Sequence, residues 1–349
     1  MPFTLYKSRD KFQLIPVSDS LVLGPPVTLY GKSSSFGPVK ADEGRALIYC
    51  AYSGSEEAGV HEASIDGADP KIRQLKTRCD ARLLSAGLAY GMDQPPHVDN
   101  RLFCGDDKGN FYTFPLSKDG KTRAETEPTP YRLVDAGNSP VIDIAVHSKG
   151  TCVYALVGRP DGSGEKALLM QEVKGPPPFA LGEHPTWDVI GHPYRVTKTD
   201  DDRYIIVNGE GTTIVDVCSG TPKDVNNFSE VPLQIRGTHS VCGFMGTLGG
   251  EGPRLKILDL TQGKVVQTYT LDKIGIRKDF FLVAQGYNED LNPSWLVVSI
   301  DSLKDANVQV HLISMTPEVK LSVTRKEIPA TRAHDLLSGD LPSLLIWGK

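Results

Sequence analysis

The sequence predicts an all-β fold built from repeated four-stranded units, and three observations predict it. First, a short apolar run broken by a polar or glycine turn recurs seven times, roughly 37 to 55 residues apart. The runs begin at Leu47, Leu102, Val153, Tyr204, Val241, Trp295 and Leu341, a period that suits one four-stranded blade per repeat. Second, the chain holds 34 glycines and 25 prolines in 349 residues, which supplies many tight turns without low complexity. Third, no window longer than about ten residues keeps the apolar spacing of an amphipathic helix between caps. Together they predict a seven-bladed β-propeller, one domain over residues 1–349, closed by joining the N- and C-terminal strands.

Each repeat reads as four elements. The first strand ends in an Asp/Gly-type turn, as in Val39-Lys-Ala-Asp-Glu-Gly-Arg45, Ile144-Ala-Val-His-Ser-Lys-Gly-Thr151 and Val196-Thr-Lys-Thr-Asp-Asp-Asp-Arg203. Such residues tolerate the left-handed backbone that a tight turn requires. The central run follows, then a second turn such as Asp106-Asp-Lys-Gly-Asn110, Asn208-Gly-Glu-Gly211 or Gly249-Gly-Glu-Gly252. Third strands begin at Phe111, Ala167, Thr213 and Leu255, and a weaker, more polar fourth strand follows, as in Val265-Val-Gln-Thr-Tyr-Thr270. That polarity fits a solvent-facing sheet edge.

The ends of the chain complete the count. Phe3-Thr-Leu-Tyr6 and Phe12-Gln-Leu-Ile15 form a hairpin with no inner partners, and His334 to Trp347 supplies two inner strands. Joined, they make the seventh blade and remove free sheet edges.

In one repeat Gly191-His192 precedes Tyr204-Ile-Ile-Val, and the repeat ends at Val215-Asp216; Leu258-Asp259 closes the next. This spacing resembles the WD40-type propellers. The resemblance covers the chain as architecture and imports no functional residue, because Trp187-Asp188 does not end a third strand and most repeats lack Gly-His.

Charge and composition narrow the function. The formal net charge is −5, which argues against bulk attraction to nucleic acid or an anionic membrane. The N-terminus lacks the apolar core of a signal peptide, and no apolar run approaches the ~18 residues of a spanning helix. The six cysteines are scattered without metal-ligand spacing, as expected of reduced thiols in a cytoplasmic or nuclear protein.

No catalytic constellation is expected. The sequence lacks a nucleophile elbow, a phosphate-binding loop and a His-Glu-x-x-His pair. Asp161-Gly-Ser-Gly-Glu165 and Asp200-Asp-Asp202 read as hairpin turns. No metal and no cofactor is expected. His184, His192, His239 and His334 precede or sit at first strands. Inter-blade loops gather there around the mouth of the central channel, where a histidine hydrogen-bonds between blades or serves a ligand.

Arginine is phased in the same way. Arg78, Arg236, Arg277 and Arg332 stand just upstream of expected first strands, three of them followed closely by Asp80, Asp279 and Asp335. One reading is inter-blade Arg–Asp pairing. The other is an arginine-lined mouth that holds carboxylate or phosphate through bidentate forks. Trp187 and Phe179, in the proline-rich stretch from Lys174 to Trp187, are expected either as partner anchors or as packing onto their own blades.

The expected function is a non-catalytic protein-interaction platform, a WD40-like scaffold that binds a protein partner on a loop face. The partner would carry an acidic or phosphorylated segment at the channel mouth, held by Arg78, Arg236, Arg277, Arg332, His239, His334 and Trp187. The alternatives are a propeller lactonase or hydrolase with its site at that mouth, and a carbohydrate- or small-ligand-binding propeller.

Overall fold

The computed structural model describes residues 3–7, 12–17, 21–22, 24–25, 27–30, 36–42, 45–50, 59–64, 71–74, 83–89, 100–116, 130–133, 136–158, 166–175, 178–183, 185–199, 201–226, 228, 231–236, 238–244, 254–276, 279–287, 293–300, 307–315, 320–331 and 343–346. Within these the chain is all-β, a set of antiparallel sheets with almost no helix. No described helix is long and apolar enough to cross a membrane.

The strands in chain order are as follows. The N-terminal three are β1 (Phe3–Lys7), β2 (Phe12–Val17) and β3 (Val27–Tyr30). One sheet comprises β4 (Phe36–Asp42), β5 (Arg45–Cys50), β6 (Gly59–Ser64) and β7 (Lys71–Gln74). The next holds β8 (Leu83–Ala89), β9 (Asn100–Asp106), β10 (Asn110–Leu116) and β11 (Tyr131–Arg132). A five-stranded sheet contains β12 (Val141–Val146), β13 (Cys152–Gly158), β14 (Lys166–Lys174), β15 (Ala180–Leu181) and β16 (Thr186–Asp188). In it, β15 and β16 both pair with β14.

Two further four-stranded sheets follow: β17 (Arg195–Lys198), β18 (Tyr204–Asn208), β19 (Thr212–Asp216) and β20 (Thr221–Val225), then β21 (Val231–Arg236), β22 (His239–Phe244), β23 (Arg254–Asp259) and β24 (Lys264–Thr270). The last strands are β25 (Asp279–Tyr287), β26 (Pro293–Ile300), β27 (Asn307–Met315), β28 (Leu321–Pro329) and β29 (Ser343–Ile346).

Both ends of the chain meet in one eight-stranded sheet, ordered β28-β27-β26-β25-β29-β1-β2-β3. There β29 pairs antiparallel with β1, Thr4 opposite Ile346 and Leu5 opposite Leu345, and parallel with β25. The terminal hairpin expected from the sequence is β1–β2. The C-terminal segment contributes one described strand where the sequence suggests two; the expected second falls outside the described residues.

Neighbouring sheets pack face to face on apolar side chains that alternate along the strands. Phe103 and Phe111 meet Val141, Val153, Val157 and Phe179 between the β8–β11 and β12–β16 sheets. Tyr154, Leu156 and Leu168 meet Val196, Ile205 and Val215 in the next interface. Ile206 and Ile214 then meet Leu258, and Ile257 meets Ile313 beyond that. Each such side chain, fully buried, contributes about 1.5–3 kcal/mol. This β-rich arrangement is consistent with a propeller-like architecture.

Candidate functional site

One group of polar side chains gathers where first strands turn into second strands in two neighbouring sheets. At one such turn, between β17 and β18, Asp202 adopts φ 58°, a left-handed conformation that Asp accepts more readily than most residues. Its side chain is only 9% exposed. The carboxylate accepts the backbone N–H of Ser148 from the β12–β13 turn, with Oδ1 at 3.0 Å and Oδ2 at 3.1 Å. Lys198 Nζ stands 2.7 Å from Oδ1 and also donates to Ser148 Oγ at 2.8 Å. His147 Nε2 lies 3.5 Å from Oδ2.

The electrostatics follow from burial and this pairing. Burial alone would push the Asp202 carboxyl up, but the Lys198 ammonium and the Ser148 donors overcome it and hold the group below the usual carboxylate range. Burial holds His147 below its ordinary value, against the opposing pull of Asp202. The Lys149 backbone N–H donates to His147 Nδ1 at 3.1 Å. With Nδ1 accepting, the proton of the neutral ring sits on Nε2, the nitrogen that faces Asp202.

The same two sheets are tied again at their first strands. Asp143 Oδ2 accepts the N–H of Val196 at 2.7 Å, while Oδ1 accepts that of Ile144 at 2.9 Å. Other aspartates close turns. Asp216 pairs with Arg203 at 3.3 Å and accepts the Cys218 N–H; burial pushes its carboxyl up, and Arg203 and the turn amide bring it below the usual range. Asp259 takes the hydroxyl and N–H of Thr261 and the N–H of Gln262, and the Thr261 hydroxyl chiefly lowers its carboxyl. Asp106, buried, accepts from the backbones of Lys108 and Asn110 and from the Asn110 amide, each at 2.8 Å.

This chemistry binds turns and sheets together. Ser148 Oγ receives its hydrogen bond from a lysine already paired with Asp202, and His147 faces the carboxylate, so the serine lacks the adjacent free base that nucleophilic catalysis requires. Among the described residues no three His, Cys, Asp or Glu side chains converge as metal ligands.

The sequence-predicted site residues fall as follows. Trp187 lies in β16 opposite Leu168, and its Nε1 donates to the Gly220 carbonyl at 3.0 Å, reaching the neighbouring sheet. Phe179 is buried against Phe103 and Tyr131, packed onto the β8–β11 sheet. His239 opens β22, half-buried, with Thr238 Oγ1 3.4 Å from Nδ1. Arg236 requires a correction of position: it ends β21, itself the first strand of its sheet, where the sequence reading set it ahead of the first strand. It stands in register with His239, which is in register with Asp259, which is in register with Lys264. Arg78, Arg277, Arg332 and His334 lie outside the described residues.

The sequence reading missed the joint role of His147, Lys198 and Asp202. The available signal was two first-to-second-strand turns in consecutive repeats, one rich in donors and the other in carboxylates.

Comparison with known proteins places the fold only. No protein-family profile and no curated protein matches the chain. A solved structure of a functionally unknown protein from Desulfotomaculum acetoxidans aligns over 92% of this chain and 94% of its own, with TM-score 0.53 and 12% identity. A protein from Lactobacillus plantarum aligns over 87% of this chain and 99% of its own at 13% identity, with TM-score 0.36. At such identity the Desulfotomaculum likeness is one of fold, an all-β chain of several antiparallel sheets.

Proposed function

We propose that this chain is a single seven-bladed, WD40-like propeller that acts as a non-catalytic platform for a protein partner. The observation that carries this reading is the commitment of the described reactive side chains to structural bonds. Asp106, Asp202, Asp216 and Asp259 all close turns, and His147, Lys198 and Ser148 tie one turn to the next. The result is a rigid set of turns, and rigid elements hold a binding surface better than mobile loops.

Three relationships support the ring. The pairing order gives six sheets; dividing the eight-stranded one between β25 and β29 leaves seven groups, six of four strands and one of five, with β29 and β1 to β3 as the seventh. Packed apolar clusters link the β8–β11 sheet through to β27 and β28. β4 lies beside both β8 and β29.

In this reading the partner presents an acidic or phosphorylated segment to a loop face. Arg236 and His239 belong to the face formed by first-to-second-strand turns. Arg78, Arg277 and the pair Arg332 and His334 precede β8, β25 and β29 in the sequence. Trp187 stands beside the face of Arg236 and His239, through its bond to Gly220.

The test is capture of a partner from cytoplasmic and nuclear extracts with full-length bait, followed by titration of the identified partner. Arg236→Lys and Arg277→Lys, made singly, keep charge and lose the bidentate fork. Loss of such a charge-assisted bond weakens binding about tenfold to hundredfold. The single variants show which of the two arginines the partner engages. Normal affinity in both, with lowered melting temperatures, makes the arginines struts and sinks the reading.

A further inference from the structure

Sheet edges are the one hazard that a protein of this kind must manage, because an outermost strand offers unpaired N–H and C=O groups to any other chain. Most described outer strands carry a protective device. Strands β11, β15 and β16 have two or three residues each. Strand β20 contains Pro222, Lys223 and Asp224. Strand β28 carries Arg325, Lys326 and Glu327 and ends at Pro329.

β24 differs. It is seven residues long, Lys264-Val-Val-Gln-Thr-Tyr-Thr270, with one charge at its first position and no proline or glycine. Valine, threonine and tyrosine favour extended structure. Six of its seven residues are exposed, Val265 at 39% and Val266 at 55%. A bulge between the Ile257 and Leu258 positions of the β23–β24 ladder lets consecutive valines face outward; beyond it Gln267 to Thr270 pair regularly with Ile257 to Arg254. No described strand pairs with its outer edge.

The strand is also held in place. Tyr269 packs with Leu255, Ile257 and Ile313, alongside Leu321 and Val323 of the next sheet. A fixed template avoids part of the ordering cost of binding.

We infer that the free edge of β24 takes an extended segment of a protein partner as a fifth strand, a segment apolar at alternate positions with carboxylates at its ends. Main-chain hydrogen bonds would supply the affinity and alternate side chains the specificity, as in strand addition generally. The charges set the chemistry. Exposed Lys264 and Lys273 flank the strand, with Asp272 the one acid in the 264–276 stretch. A second copy of this chain brings net charge −5 and is repelled, whereas terminal carboxylates on a short segment are drawn to the two lysines.

This edge is distinct from the loop-face arginines, so Arg236→Lys and Arg277→Lys leave it unaltered and the two readings fail separately. The probe is a fluorescein-labelled synthetic peptide, DDVTVQVTDD, titrated against full-length protein by anisotropy, with hydrogen exchange followed over residues 264–270. Val266→Glu places a like charge beside the peptide's carboxylates on an exposed side chain. Gln267→Pro and Thr268→Pro are made in parallel, because one removes an outward N–H and the other a ladder N–H; the variant with unchanged melting temperature is used. The expected result is saturable binding, slowed exchange across 264–270, and at least tenfold weaker binding in both Val266→Glu and the fold-neutral proline variant. No saturable binding, binding indifferent to both variants, or self-association lost in both without peptide binding would each overturn the inference.

Discussion

The Asp202 carboxylate accepts the backbone N–H of Ser148, a residue 54 positions earlier and on the adjacent sheet. The same carboxylate neutralises Lys198, which itself reaches Ser148 Oγ. One aspartate therefore fixes the shape of its own turn and its distance from the turn beside it.

Asp202→Ala is expected to destabilise the protein by about 1–3 kcal/mol, because it leaves Lys198 and the Ser148 N–H of a half-buried cluster without their acceptor and alanine disfavours a positive φ. Asp202→Asn keeps the turn preference and one acceptor, and should cost less. Urea unfolding midpoints of the two variants check the order; equal costs would mean that the charge contributes nothing beyond geometry.

The pH dependence has a defined sign. His147 is held below its ordinary value in the fold, so the unfolded chain binds its proton more readily. Its contribution is present above the unfolded value of about 6.5 and is lost as pH falls through the lower folded value. Asp202 is also lowered, and its contribution is present above about 3.9 and lost in the more acidic range below it. Stability should thus decline in two stages on acidification. His147→Gln should abolish the first stage and leave the second, as read from unfolding free energies across the range from neutral to acid.

The strand pattern was readable because turn residues punctuate it. Asp216 and Asp259 end β19 and β23, as their place in the repeat implies. β21 carries Pro232, a residue that argues against a strand, and went unread in the sequence. The strand tolerates it because it sits at the edge of its sheet and a bulge falls between Pro232 and Gln234. Reading the run at Ser240 as the first strand set Arg236 before one, whereas it ends β21. The Ser148–Asp202 contact was not readable, since no local pattern fixes which turns of two adjacent sheets face each other.

Trp187 separates a strut from an anchor. Trp187→Phe keeps an aromatic ring and loses the bond to Gly220, for an expected cost of about 1 kcal/mol. A lowered unfolding midpoint with unchanged partner affinity identifies the indole N–H as a strut. Unchanged stability with weakened affinity identifies an anchor.

Gly105 should tolerate no side chain. A methyl there would overlap Val141 and the Ser85 hydroxyl, where the β8–β11 sheet meets β12. Overpacking of this kind costs about 1–3 kcal/mol. Gly105→Ala should therefore melt lower, whereas Gly220→Ala, with no atom within 4 Å of the added methyl, strains only its own positive φ of 65° and should melt closer to the parent protein.

The central claim is that the two ends of the chain close one ring, and cross-linking β1 to β29 tests it most directly. Directly opposed residues of an antiparallel pair have Cα atoms about 4.5–5.5 Å apart, inside the range a disulfide spans. Two double variants, Thr4→Cys with Ile346→Cys and Leu5→Cys with Leu345→Cys, cover both kinds of opposed pair. Peptide mapping under oxidising, non-reducing conditions should find the 4–346 or the 5–345 bridge in soluble monomer, with a melting temperature above that of the reduced form. Failure of both pairs to bridge in folded protein would contradict closure of the ring through its termini.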